Sequence, residues 1–324
     1  MRILFVLSGN NPMAGVTEDS TAMPVKHGAR QGASLSLAGH EIDYYYISGR
    51  GIYGYLRNIP ALRTHIKAGR YDLVHAHYSL TAIAASLAGR HRMVVSLMGS
   101  DVLGNSLMLP LLRLFCRYRW SRTIVKTEMM KSTIGNRNVT VLPNGVDTEK
   151  FRPLNREEAR RHLGLPDKKI VLFAADPDRP EKNFSLASES FSRMKRDDAM
   201  LFPVHHADHG MMPWYYNAAD VLLLTSTWEG SVNTVKEAMA CNLAVVSTDV
   251  GDVRANTRGL PGYHITSYDP DDIAGKLSMA LDQKIKPAGR ERIMELGLDA
   301  ASVNSRLSEI YRTVVYGSGN LADN

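Results

Sequence analysis

A chain of 324 residues is longer than a usual single domain, so two domains are expected. Hydrophobic residues at 44% and charged residues at 22% exclude a disordered chain, and no uninterrupted apolar stretch is long enough to span a bilayer. The net charge of +6 is uneven: residues 1–150 carry 18 Lys+Arg against 9 Asp+Glu, a balance of +9, and the remainder carries 21 against 24, a balance of −3.

The elements alternate along the chain. Ile3–Leu7 is an apolar strand, soon stopped by Ser8, Gly9, Asn10 and Pro12; it is too short for a signal peptide. Ala29–Ala38 has the pattern of a helix closed by Gly39, and Glu41–Ile47 that of a second strand. Tyr71–His75 and Met93–Leu97 are short buried strands, followed by Ile124–Lys126 and Val139–Leu142. After Pro143 the pattern restarts with a helix at Arg156–Leu163, a strand at Ile170–Ala174 and a helix at Phe184–Met194. Ala199–Val204, Val221–Leu224 and Ala244–Ser247 are strands, the last two separated by the helix Val232–Ala240. Asp271–Asp282 and Val303–Val315 are the last helices, and the polar tail Gly317–Asn324 is expected to fray. This alternation predicts an α/β fold of two doubly wound, Rossmann-like domains with parallel sheets facing a cleft. The boundary falls in the Pro- and Gly-containing stretch Leu142–Pro153, giving domains at 1–142 and 143–324, with the last helix crossing back to the N-terminal domain. Cys116 and Cys241 lie far apart without metal-ligand spacing and are expected to be reduced thiols.

The sharpest signal is Trp228-Glu229-Gly230-Ser231-Val232-Asn233-Thr234-Val235-Lys236-Glu237-Ala238-Met239-Ala240. A strand runs into a glycine turn and then a helix beginning near Ser231. Such a corner aims free backbone N–H groups and the positive helix end at a phosphate or sugar oxygen. Glu229 before the helix and Glu237 within it could each accept hydroxyl hydrogen bonds. Read alone, the corner also fits a bland account, in which Ser231 is an N-cap and Glu237 a surface residue.

The spacing Glu-x7-Glu within EGSVNTVKEAMACNLAVVSTDVGD resembles the motif of retaining GT-B glycosyltransferases of family 4. Leu142-Pro143-Asn144-Gly145-Val146-Asp147-Thr148-Glu149-Lys150-Phe151 is similar to that family's interdomain segment, and Asn217-Ala218-Ala219-Asp220-Val221 to its lead-in before the first Glu. The three stretches occur in family order over most of residues 139–252. The resemblance implies that Glu229 holds the sugar, that the backbone of Gly230, Ser231, Val232 and Asn233 lines sugar and diphosphate, and that Glu237 accepts from the ribose hydroxyls. It further implies that Lys182 and Arg179, on the loop after Ile170–Ala174, clamp the diphosphate; their spacing is shorter than the family's usual one. Fixed cations and backbone dipoles can stabilise a leaving diphosphate, and without an Asp-x-Asp motif a metal-independent site with no cofactor is expected.

The first half departs further from the family. His75 and His77, at i and i+2 on a strand, point the same way, but no third metal ligand is apparent. His77 is a candidate cleft residue and His75 a structural one. Met98 stands where the family often has a His, beside the candidate cleft residues Gly99 and Asp101. Ser8-Gly9-Asn10-Asn11 replaces the usual double glycine, and Gly9 could still offer an N–H to a phosphate. Residues 107–122 mix Leu107, Leu109, Leu111, Leu112, Leu114 and Phe115 with Arg113, Arg117, Arg119 and Arg122, which suits either adsorption on an anionic bilayer or a core helix with a basic edge.

The implied function is transfer of a hexose from a nucleotide-sugar donor to a lipid-linked or saccharide acceptor, as in bacterial surface-polysaccharide enzymes. Two rivals share the same donor motif: a nucleotide-sugar epimerase of GT-B fold and a catalytically silent sugar-nucleotide-binding partner. A dinucleotide-dependent dehydrogenase is disfavoured because Gly-x-Gly-x-x-Gly is absent after the first strand. No nucleic-acid partner is expected, and the protein is expected in the cytoplasm, in reach of the inner membrane face.

Overall fold

The computed structural model describes residues 1–9, 27–49, 51–104, 106–283 and 287–317. Asn10, Asn11 and the tail beyond Gly317 lie outside the described residues. The chain divides into two compact units, Met1–Pro143 together with Ala301–Asn324, and Asn144–Ala300.

In the first unit, β1 (Arg2–Ser8), β2 (Glu41–Ile47), β3 (Leu73–His77), β4 (Met93–Ser96), β5 (Arg122–Val125) and β6 (Val139–Val141) form a sheet in the order β2-β1-β3-β4-β5-β6. All its neighbouring strands are parallel. Side chains alternate along a strand, so each face collects its own core. Leu4, Val6, Val74 and Val95 pack on one face with the helix Ser79–Ala88. Ile3, Phe5, Leu7, Leu73 and Val94 pack on the other with Val303, Leu307 and Tyr311 of the last helix, Ala300–Tyr316.

In the second unit, β7 (Lys169–Phe173), β8 (Ala199–Pro203), β9 (Val221–Leu224), β10 (Ala244–Thr248) and β11 (Tyr263–Thr266) form a parallel sheet in the order β11-β10-β9-β7-β8. Ile170, Leu172 and Leu222 face one core, and Val171, Phe173 and Leu223 the other. The helix Arg156–Leu163 starts where its pattern predicts, with the Asn155 side chain accepting from the Glu158 N–H at 2.9 Å.

Both sheets reverse strand order beside their first strand: β1 lies between β2 and β3, and β7 between β8 and β9. In open α/β sheets such reversals open a crevice at the carboxyl ends of the strands.

Some elements differ from expectation. β3 runs two residues later than Tyr71–His75, because Tyr71 is held by its hydroxyl on Asp43 at 2.9 Å and Asp72 accepts the Arg2 N–H at 2.7 Å. The helix Ser79–Ala88 was not anticipated; its mostly small and apolar residues give no amphipathic period. The edge strand β11 was missed for its mixed polarity. No helix among the described residues is long and apolar enough to cross a membrane.

Candidate functional site

The reversal in the second sheet is flanked by the loop after β7 and the loop after β9. The first carries Lys182 and the second Glu229, and the two side chains form an ion pair while 14% and 18% exposed. The Ser226 hydroxyl donates to the same Glu229 oxygen at 3.0 Å. Hydrogen bonds to main-chain carbonyls stitch the loops together behind the pair. Thr225 Oγ1 donates to the carbonyls of Lys182 and Asn183 at 2.9 and 3.0 Å, and the Thr227 N–H donates to Glu181 at 2.9 Å. Thr248 Oγ1 ties the Ser226 carbonyl to β10 at 2.7 Å. A cation and a carboxylate are therefore fixed on backbone that is itself braced, as preorganised charge requires. Arg179 sits on the same loop but turns to Glu181, with Nε 2.8 Å from its carboxylate, and its side chain is 52% exposed.

The helix after the glycine turn runs Asn233–Ala240, starting one residue later than the expected Val232 and ending where expected. Ser231 is thus no N-cap. Its hydroxyl donates to Asp252 at 2.9 Å and accepts from the Asn144 N–H at 3.1 Å and from the Lys236 ammonium. Asp252 also accepts the Val232 N–H at 2.8 Å, so that N–H, expected to face a diphosphate, is already taken. Lys236 lies fully buried, donating to the Asn144 carbonyl at 2.7 Å and to Asp252 at 3.3 Å. Burial lowers its pKa, with Asp252 and Glu237 acting in the opposite sense. Gly251 completes the lock: its φ is +58°, and a Cβ there would overlap the Gly230 carbonyl oxygen. Lys236 and Asp252 went unremarked in the sequence, where a lysine inside a helix suggests a solvated face; only its burial marks it.

Glu237, 12% exposed, points away from this lock into a second cluster. Tyr216 donates to Oε2 at 2.9 Å, and His209 Nε2 lies 3.1 Å from Oε1. Burial, then the Glu237 charge, raises the Tyr216 pKa well above its ordinary value.

The reversal in the first sheet is furnished differently. The Gly9 N–H donates to the Ile47 carbonyl at 2.6 Å and is not offered to a phosphate, and a Cβ on Gly9 would lie 2.7 Å from that oxygen. His75 bonds Tyr311 at 2.5 Å and Ser96 at 2.9 Å, and burial lowers its pKa to about 3. His77, also buried, packs 4.2 Å from the His75 ring and 5.0 Å from Phe5. Gly99 is buried in the first turn of a short helix, Gly99–Leu103. Asp101 turns inward, accepting from the Met98 N–H at 2.7 Å and from the Ser79 hydroxyl at 2.8 Å; burial raises its pKa to about 6.

Leu111, Leu114 and Tyr118 are exposed at one-face spacing along the helix Leu109–Tyr118, and Leu107 is exposed in the turn before it, while Leu112 and Cys116 are buried. Arg113 donates to Thr133 at 2.7 Å and Arg119 to Gly89 at 3.0 Å. Among the described residues, no group of three or more His, Cys, Asp or Glu side chains is arranged to hold a metal ion.

Two family models match the chain, "Glycosyltransferase Family 4" over residues 27–150 and "Glycosyl transferases group 1" over residues 201–283. A D-inositol 3-phosphate glycosyltransferase of Geodermatophilus obscurus is 28% identical over 48% of this chain and 43% of its own length. A lipopolysaccharide core biosynthesis mannosyltransferase of Rhizobium meliloti is 31% identical over 35% of this chain and 41% of its own. A putative teichuronic acid biosynthesis glycosyltransferase of Bacillus subtilis is 28% identical over 56% of this chain and 54% of its own. The matched part of this chain thus spans about half the length of these curated relatives. Among solved structures, a sucrose-phosphate synthase from Thermosynechococcus elongatus superposes with a TM-score of 0.81 at 16% identity, covering 98% of this chain and 100% of the other. An Anabaena protein solved with UDP and glucose superposes with a TM-score of 0.73 at 16% identity, covering 97% and 100%. At such identities the superpositions speak for the fold. With two parallel α/β sheets of the same strand order and family models matching residues 27–150 and 201–283, the chain belongs to the family 4 glycosyltransferases of GT-B fold.

Proposed function

We propose that the chain is a retaining glycosyltransferase, moving a hexose-type sugar from a nucleotide diphosphate sugar to a hydroxyl of a lipid-linked or saccharide acceptor in polysaccharide or glycolipid assembly. The observation that carries the reading is the Lys182–Glu229 pair at the carboxyl edge of the second sheet's reversal. In this account Lys182 turns to the diphosphate, with Arg179 on the same loop as a second cation. Glu229 then accepts from the sugar hydroxyls, and Glu237 from the ribose. The bond from the anomeric carbon to phosphate breaks and a bond to the acceptor oxygen forms on the same face. The acceptor's proton passes to the departing phosphate oxygen, so no side chain is needed as base. Lys182 and the positive end of the helix Asn233–Ala240 stabilise the charge that develops on the phosphate without a metal. Relatives named for lipopolysaccharide core and teichuronic acid biosynthesis support an acceptor of the surface-polysaccharide kind.

A thermal-shift screen across UDP-, GDP-, ADP- and CMP-sugars tests the donor. A rise with one nucleotide class is expected, and no rise with any of them overturns the reading. Product analysis by NMR with an added acceptor should then give a glycoside that keeps the donor's anomeric configuration. An epimerase would instead change the sugar with no acceptor present, and a silent binding partner would shift in melting temperature yet never turn over. The exposed row Leu107, Leu111, Leu114 and Tyr118 beside Arg117 supports peripheral contact with an anionic membrane. Flotation with anionic and neutral vesicles at low and high salt tests it, and equal flotation with both lipids would sink it.

A further inference from the structure

We propose that Lys150, His209 and Tyr216 are positioning residues that hold the Glu237 carboxylate in one orientation, His209 being fixed as its Nε2–H tautomer by the Lys150 ammonium. The inference rests on reading Glu237 as the acceptor of ribose hydroxyls, and it says how that grip is built.

The local sequence places the lysine. Asp147 Oδ1 accepts the Glu149 and Lys150 N–H groups at 3.1 and 3.0 Å, and its carbonyl accepts the Phe151 N–H at 2.8 Å, closing a tight turn. Lys150 Nζ then lies 2.6 Å from His209 Nδ1. An ammonium can only donate, so Nδ1 must be the ring's lone-pair nitrogen and Nε2 must carry the hydrogen. That hydrogen points at Glu237 Oε1, 3.1 Å away, while Tyr216 serves Oε2 at 2.9 Å. The buried Phe151 ring packs edge-on against both partners, 5.3 Å from His209 and 5.9 Å from Tyr216, so neither ring swings freely.

A carboxylate oxygen has room for two hydrogen bonds. With one protein donor on each oxygen, Glu237 keeps one acceptor position on each, matching the two neighbouring hydroxyls of a ribose. Fixing the carboxylate beforehand removes the cost of ordering it on binding. The contribution of His209 and Tyr216 should therefore show only against a ligand that has both hydroxyls.

The experiment is calorimetric titration of the full chain with a nucleoside diphosphate (UDP, GDP or ADP, whichever binds the wild type) and with its 2′-deoxy counterpart. The wild type should prefer the ribonucleotide by about tenfold or more, the scale set by one buried hydrogen bond. His209→Ala should weaken ribonucleotide binding about tenfold and leave the deoxynucleotide nearly unchanged, collapsing the preference. His209→Gln, whose amide can still donate, should restore most of it, and Tyr216→Phe should reduce it. In the wild type, ¹⁵N imidazole shifts should report His209 as Nε2–H, and Lys150→Met should move them toward a mixture of tautomers. An unchanged ribo-to-deoxy ratio in His209→Ala overturns the proposal, as does an Nδ1–H signal in the wild type. Glu237→Gln separates the two levels: if it leaves ribonucleotide binding intact, the reading of Glu237 itself fails. If Glu237→Gln weakens binding while His209→Ala does not, only the positioning role fails. Should Tyr216→Phe not fold, the pair of variants at His209, whose side chain is 30% exposed, still decides.

Discussion

The two sheets reverse strand order at equivalent places, yet the described residues at the two reversals differ in kind. Beside β7 and β9 stand a lysine and a glutamate, partly exposed and held on braced main chain. Beside β1 and β3 stand Gly9, whose N–H closes onto Ile47, and His75, kept neutral by burial against Tyr311 and Ser96. Among the described residues, the same topology thus carries a partly exposed ion pair at one reversal and, at Gly9 and His75, groups closed into the protein at the other. Topology offers a crevice, and the residue types on the loops decide whether it can do chemistry.

The comparison can be tested from either side. The largest effect is expected from Lys236→Met, which leaves the buried Asp252 carboxylate without its cation and should destabilise the protein by about 3–5 kcal/mol in urea unfolding. Adding Asp252→Asn should recover part of that loss. Lys182→Ala should lower kcat by about 10²–10³-fold with little change in melting temperature, the usual scale for removing one preorganised charge. Combining it with Glu229→Ala should cost much less than the product of the single losses. If His77→Ala in the first unit lowers kcat as much, the contrast between the two edges is wrong. His75→Phe removes a partner from Tyr311 and Ser96 and should cost about 1–3 kcal/mol of stability while leaving nucleotide affinity at the wild-type value.

The last effect is in pH. His75 has a pKa near 3 when folded against about 6.5 unfolded, so below pH 6.5 the unfolded chain binds the proton first. Stability that is complete above that pH is lost as pH falls, by at most about 1.4 kcal/mol per pH unit, down to about pH 3. Asp101 acts in the opposite sense: its folded pKa of about 6 favours the folded state below pH 4 and that contribution is lost as pH rises through 6. Unfolding of His75→Phe and Asp101→Asn from pH 4 to 7 should therefore deviate from the wild type with opposite slopes.

Much of the frame was legible in sequence. Alternating apolar runs located most strands, and the spacing of Glu229 and Glu237 announced the corner after β9. What escaped notice depends on contacts remote in sequence. Lys236 reaches Asn144 across 92 positions and Asp252 across 16, and no periodicity separates a buried lysine from a solvated one. His209 sits in an irregular stretch with two other histidines, so its tie to Glu237 has no local signature. Arg179 and Lys182 share one loop, and the intervening Glu181 takes the arginine and leaves the lysine to Glu229.

The packing of the helix Ala300–Tyr316 has a consequence for how the chain is made. Ile3, Phe5 and Leu7 leave the ribosome about three hundred residues before Val303, Leu307 and Tyr311, which cover them. All of the second unit emerges in that interval and has every strand of its own sheet in hand. The first unit's sheet is therefore begun before the second unit is made and covered only after it, with one apolar face waiting for its cover during synthesis.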